Sequence, residues 1–301
     1  MNSGREKTDS NAVMSKLVPL LLEQHSAGKV HSIFRCGLNV EFNGYLVYFG
    51  FCGTPLTAFG MNIEKKKLNH LLETVQSDDL VVNKGDKLVF YGRAAVIEIG
   101  LRGVEEVDLA LPRLECGLKD IPATKLYRYL ENSYFPPAAS LTPALGLNGD
   151  AKTREYVELL IHSEKSDIAT NTRLITFFAG RGQGLTPSGD DILLGFTLAL
   201  LLFGRFRAWR EVLAAEINPK RTTMISTAYV KSLLKGYVSE PLLRLVRLLD
   251  GSEMAEIEAA VREVRAFGHT SGEDTLFGFS LGLKFLVRKE KIQTGSDISE
   301  P

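Results

Sequence analysis

Net charge is the first thing this sequence lacks: 36 Lys and Arg offset 36 Asp and Glu. Without a basic excess, no long-range field draws the chain to nucleic acid or to an anionic membrane, and neither is expected as a partner. Cysteine is scarce. Cys36, Cys52 and Cys116 are odd in number and form no C-x-x-C pair, which argues against a disulfide framework. Cys36 and Cys52 sit in apolar, strand-like runs, so buried free thiols in a reducing cytoplasm are expected. Long hydrophobic runs are missing too. The most apolar stretch, Ile192 to Phe203, falls well short of the roughly 20 residues a bilayer-spanning helix needs. The Leu17 to Leu22 run contains Pro19 and no small-residue cleavage site, unlike a secretory signal. Of the histidines, His25, His31, His70 and His162 stand alone, and only His269 falls in a motif.

What is present suffices for two domains: 301 residues allow a well-buried core. The class expected is α+β. Residues 1–29 read as a polar tail and a helix over Ala12 to Gln24. Residues 30–112 read as a largely antiparallel β domain, sandwich or barrel, with strands at Val30 to Arg35, Leu38 to Phe42, Tyr45 to Phe51 and Thr57 to Ile63. Asn43-Gly44 is a hairpin signal. A helix follows over Glu64 to Val75, then three or four strands to Leu111. Residues 113–150 form a junction broken by Pro122, Pro136, Pro137, Pro143, Gly146 and Gly149, with one helix near Lys125 to Glu131. Residues 151–288 read as a helical domain with helices at Ala151 to Ser163, Asp167 to Phe178, Ile192 to Phe203, Ala208 to Ile217, Thr222 to Gly236, Pro241 to Leu249, Glu253 to Phe267 and Asp274 to Arg288. The tail, residues 289–301, is polar and expected to fray.

The richest stretch is Ala179 to Phe203, where Gly180-Arg-Gly-Gln-Gly184 runs into Leu-Thr-Pro-Ser-Gly-Asp-Asp191 and an all-round apolar helix. Such a helix is packed on every side. Ser188 is placed as an N-cap, with Asp191 as the acid of a capping box. The stretch recurs: Ser271 to Leu283 matches Ser188 to Leu200 at eight of thirteen positions, with Thr270 near Thr186. Each copy carries glycine in its second turn, Gly195 and Gly278. Glycine there costs about 1 kcal/mol against alanine, so the two helices are expected to approach backbone to backbone, bringing both N-termini together.

The glycine loop is neither a Walker A loop nor a dinucleotide fingerprint. Joined to a helix N-terminus, however, Gly182, Gly184, Ser188 and Gly189 offer N–H donors to an anion such as phosphate, with Arg181 as the nearest guanidinium. The competing reading is that the glycines only turn the chain. In the second copy Thr270, Ser271 and Gly272 are the matching ligand-binding candidates. Asp190, Asp191, Glu273 and Asp274 would supply hard oxygen ligands to Mg²⁺ if the copies face each other; alternatively, Asp191 and Asp274 only cap helices. His269, Asp190 and Asp274 are the catalytic candidates, His269 as general acid or donor to developing charge. Thr222, Thr223, Ser226 and Tyr229 share one helix face, as an ordinary amphipathic helix would also arrange them.

Three blocks, Gly182-Gln-Gly-Leu-Thr-Pro-Ser-Gly-Asp-Asp191, Gly236-Tyr-Val-Ser-Glu-Pro-Leu242 and Gly268-His-Thr-Ser-Gly-Glu-Asp-Thr-Leu-Phe-Gly278, resemble the family of the oxamate carbamoyltransferase subunit AllH. The resemblance is specific over about Thr153 to Val287; the β domain shares only a general run of strands. It implies a subunit acting with two others in anaerobic allantoin breakdown, a branch of purine catabolism, where oxalurate and phosphate are exchanged for oxamate and carbamoyl phosphate. Those small anions and other protein subunits are then the expected partners. A non-catalytic assembly subunit and a Mg²⁺-dependent hydrolase using the clustered acids remain the rival readings.

Overall fold

Asn43 and Gly44 take φ values of 47° and 80°, the left-handed pair that a two-residue hairpin requires, and join β3 (Gly37–Phe42) to β4 (Tyr45–Phe51). The computed structural model describes residues 12–135, 147, 149–162, 167–204, 206–268 and 270–294. These fall into two units, one taking the chain up to Ala110 together with Tyr237–Glu240, the other Leu111–Gly236 and the chain from Pro241. The class is α+β, with strands in the first unit and helices dominating the second.

The first unit is the expected largely antiparallel β domain, built as one nine-stranded sheet curled into a half-barrel. Its strands are β1 (Val13–Ser15), β2 (Ala27–Phe34), β3, β4, β5 (Gly60–Ile63), β6 (Leu80–Asn83), β7 (Lys87–Tyr91), β8 (Val96–Gly100) and β9 (Glu105–Val107). They lie in the order β8-β7-β6-β2-β3-β4-β5-β1-β9. Pairing is antiparallel except between β4 and β5 and between β1 and β9. Alternation sets the faces: in β8, Ile97 and Ile99 are buried while Val96 and Glu98 are exposed. Phe42, Phe49 and Phe90 are fully buried, Phe49 and Phe90 meet edge to face at 5.5 Å, and α2 (Lys65–Thr74) adds Leu68 and Leu71 to the same core.

Three local expectations are corrected here. The span Ala12 to Gln24 is not one helix: Val13–Ser15 is drawn into the sheet by β5 and β9, leaving α1 as Leu17–Leu22. Only Gly60–Ile63 of the strand expected over Thr57 to Ile63 forms. Cys36 is exposed, because Arg35 and Cys36 make the tight turn between β2 and β3; Cys52 and Cys116 are half-buried, and none of the three forms a disulfide among the described residues.

The second unit contains α3 (Lys125–Tyr134), α4 (Ala151–His162), α5 (Ile168–Phe178), α6 (Ser188–Leu202), α7 (Arg207–Glu216), α8 (Met224–Leu234), α9 (Glu240–Arg247, whose first residue belongs to the first unit), α10 (Met254–Arg265) and α11 (Ser271–Thr294). The last outruns its expected end, so Lys289 to Thr294 is helix. The expectations for residues 1–11, Pro136, Pro137, Pro143, Gly146, Ser163 and 295–301 lie outside the described residues. As its all-round apolarity predicts, α6 is buried from Ser188 through Leu200, and α11 likewise from Asp274 through Leu283. Trp209 on α7 closes one flank of α6, donating from Nε1 to Thr197 Oγ1 at 2.9 Å. No helix among the described residues is long and apolar enough to cross a membrane.

Candidate functional site

The paired glycines do what the repeat implies. A Cβ on Gly195 would fall on the Thr275 carbonyl, one on Gly278 on the Ile192 carbonyl, and one on Gly282 within 2.8 Å of the Phe196 carbonyl. Contact positions ascend together along the two helices, Ile192 with Gly278 and Ala199 with Gly282. The two helices therefore run in the same sense, with their N-termini side by side.

Parallel packing brings two like ends of helix dipoles together, each equivalent to about half a positive charge. The acids of both first turns answer that charge, but in two different ways. Asp190 and its counterpart Glu273 are drawn to the flanks. Asp190 Oδ1 accepts from the Gly180 N–H at 2.8 Å and Oδ2 from the Thr222 hydroxyl. Glu273 accepts from Arg265 Nε at 2.5 Å and from the Tyr134 hydroxyl at 2.9 Å. Burial pushes the Asp190 carboxyl up, opposed by the Gly180 N–H and the Thr222 hydroxyl. The same kind of burial, with Glu273 adjacent, pushes the Tyr134 phenol up.

Asp191 and Asp274 turn inward instead, at 5% and 0% exposure. Burial raises the Asp191 carboxyl well above the usual carboxylate range; the hydroxyls of Ser271 and Thr186 oppose the rise, and the charges of Asp274 and Asp190 add to it. Above this pair, Thr186 Oγ1 and Ser271 Oγ meet at 2.5 Å. The copies thus converge on a cluster of two hydroxyls and two buried acids.

The capping box is not formed. Pro187 takes the N-cap, its carbonyl accepting from the N–H groups of Asp190 and Asp191 at 2.8 and 3.2 Å, and Ser188 is the first helical residue, buried beneath Gly182. Ser271 lies beneath Gly268 in the same way. Nor are the N–H groups of Gly189 and Gly272 spare: Gly189 donates to the Arg181 carbonyl at 2.8 Å and Gly272 to the Phe267 carbonyl at 3.0 Å. A side chain on Gly189 or Gly272 would strike the carbonyls of Phe178 and Val264. Both glycines therefore seat the loop on the preceding helix.

These contacts lie inside the stretch that the family comparison picks out. Residues 178–283 match the family model described as oxamate carbamoyltransferase subunit AllH. The AllH match begins at Phe178, whose carbonyl meets Gly189, and ends at Leu283, where the repeat ends. No solved structure matches the chain.

Within the AllH segment, Thr186, Ser271, Asp191 and Asp274 come together, with Thr270 beside them in the chain and half-exposed. Gly182 and Gly184 lie on the exposed loop and Arg181 at its base. His269 lies outside the described residues. The four carboxylates expected to share Mg²⁺ are divided: Asp190 and Glu273 are each engaged on opposite flanks, and no group of three metal-type ligands gathers among the described residues. They do not fit a shared cation site. Thr222, Tyr134 and Arg265 escaped sequence reasoning as partners of the acids. Only Thr222 carried a signal, as the first residue of the hydroxyl-bearing segment. The segment Tyr237-Val-Ser-Glu240 has a structural role in the first unit: Val238 N–H donates to the Leu109 carbonyl at 3.1 Å, and Glu240 brackets Leu56 with N–H and carboxylate.

Proposed function

We propose that this chain is a subunit of a carbamoyltransferase that exchanges oxalurate and phosphate for oxamate and carbamoyl phosphate, and that it binds one of these anions at the paired N-termini of α6 and α11. The observation that carries this reading is the convergence of Thr186 and Ser271 at 2.5 Å, over Asp191 and Asp274, inside the family-matched segment. In the exchange, a phosphate oxygen forms a bond to the ureido carbon while the carbon–nitrogen bond to oxamate breaks. The proton that leaves phosphate ends on the departing amide nitrogen. Charge collects on the carbonyl oxygen in between. Hydroxyl donors held by packing are suited to that oxygen, and burial, which raises the Asp191 carboxyl, suits it to general acid–base work.

The experiment is oxalurate phosphorolysis, followed as carbamoyl phosphate formed, with the chain alone and with its partner subunits. Removing one preorganised donor typically costs about 10²–10³ in turnover. Thr186→Val and Ser271→Ala are accordingly expected to lose about that much while the complex still assembles. Unchanged turnover in both variants would remove the site from the reaction.

One observation favours a second reading, the non-catalytic assembly subunit. The N–H groups of Gly189 and Gly272 are committed to internal carbonyls, so the glycine loops serve helix packing first. On that reading both variants assemble and turn over normally, and the chemistry resides in a partner.

A further inference from the structure

Arg181 does not hang free from the glycine loop. Its guanidinium carbon lies 4.3 Å from the centre of the Phe177 ring. Phe177 stacks on Tyr156 with centroids 3.7 Å apart and planes inclined by 15°, and the Arg173 guanidinium carbon lies 5.2 Å from the centre of the Tyr156 ring. Arg173 Nε also donates to the Tyr156 hydroxyl at 3.1 Å. Four planar groups from α4, α5 and the loop are thus linked in one chain of contacts, Arg181 to Phe177 to Tyr156 to Arg173. A guanidinium laid on an aromatic face keeps its N–H edge free for an in-plane acceptor.

That edge meets Asp150. Asp150 Oδ1 accepts from the Thr153 N–H at 2.6 Å, capping α4, and its Oδ2 reaches Arg181 Nη2 at 3.4 Å. The contact is single, long and half-exposed, with the two side chains 34% and 48% accessible. Such pairs contribute little, and a guanidinium makes shorter, paired bonds to a phosphate or carboxylate.

We infer that Asp150 is an internal stand-in for an anionic ligand, held against Arg181 until a phosphate or an oxo-acid carboxylate displaces it, and that Phe177 positions Arg181 to receive that anion. The inference rests on the anion-binding reading above. Asp150 is then a competitor, and Phe177 and Tyr156 are positioning residues acting through Arg181.

Asp150→Asn separates the two duties of the residue, because asparagine caps a helix as well as aspartate does but carries no charge to compete. The full-length chain is titrated calorimetrically with inorganic phosphate and, separately, with oxamate, and KM for phosphate is measured in the assembled complex. The anion whose affinity moves is the one Arg181 receives. An exposed ion pair or cation–π contact is worth about a two- to five-fold change in affinity. Asp150→Asn is expected to tighten binding by that factor. Phe177→Leu should weaken it similarly, raising KM with kcat unchanged, and Phe177→Tyr should restore it. None of these shifts should survive in an Arg181→Met background. Equal affinities in wild type and Asp150→Asn, or a gain that persists without Arg181, would overturn the inference while leaving the anion site in place. If the wild-type chain binds neither anion and the complex does not saturate with phosphate, the underlying reading falls with it.

Discussion

Thr186 Oγ1 and Ser271 Oγ stand 2.5 Å apart although 85 positions separate them in the chain. Each belongs to one copy of the internal repeat, so this contact ties the two copies at the end where the helices start. A net hydrogen bond contributes about 0.5–1.5 kcal/mol. A double-mutant cycle on Thr186→Val and Ser271→Ala, read by urea denaturation, is expected to show coupling of that size. Strictly additive losses would mean that the hydroxyls stabilise the fold independently.

Gly195→Ala and Gly278→Ala should both destabilise the protein. Helix propensity alone favours alanine by about 1 kcal/mol. Here the added methyl would fall on the Thr275 or Ile192 carbonyl, and overpacking of this kind costs about 1–3 kcal/mol. The backbone clash wins, so both variants are expected to melt below wild type; a higher melting temperature for either would show that the helices can separate.

Asp191 gives a pH dependence. Its carboxyl is raised well above the usual range in the folded state, chiefly by burial, so within the titration window the native state holds more protons than the unfolded chain. Its contribution is full below the unfolded value near 4 and declines as pH rises through the folded value. Asp191→Asn removes that titration. The variant is expected to gain in melting temperature relative to wild type as pH rises from about 4 to 8, where unfolded aspartate is ionised; parallel curves would contradict the burial cost.

The first-turn acids on the flanks behave differently. Glu273 is already held by Arg265 and Tyr134, and Asp190 by Gly180 and Thr222. Glu273→Gln is expected to cost about 1 kcal/mol, the scale of a charge-assisted bond discounted for partial exposure. Millimolar Mg²⁺ is expected to leave the melting temperatures of wild type and Asp190→Asn unchanged. A Mg²⁺ shift in wild type that disappears in the variant would restore a shared cation site.

The pairing of α6 with α11 was legible in sequence because close backbone approach demands glycine, and glycine inside a helix is conspicuous wherever it recurs in register. The acids were harder to read. Ser188 and Asp191 have capping-box spacing, yet the Pro187 carbonyl takes the cap and burial against α11 decides where Asp191 points. That depends on a helix far along the chain. Tyr134 lies 139 positions from the Glu273 it binds, and no local pattern links them. Val13–Ser15 reads as helix locally for the same reason: its strand identity comes from β5 and β9.

The short return of Tyr237–Glu240 to the first unit orders events during synthesis. The chain leaves that unit after Ala110 and rejoins it only after Gly236, and Leu109, Ala110 and Leu56 find their main-chain partners in the returning segment. As the chain emerges from the ribosome, the sheet therefore waits, with that border bare, while α3 through α8 are made. Domains generally fold as units in the order they are made, but here the first to begin is not the first to finish. A ribosome stalled anywhere between Leu111 and Gly236 would display the nine-stranded sheet without the segment that closes its unit.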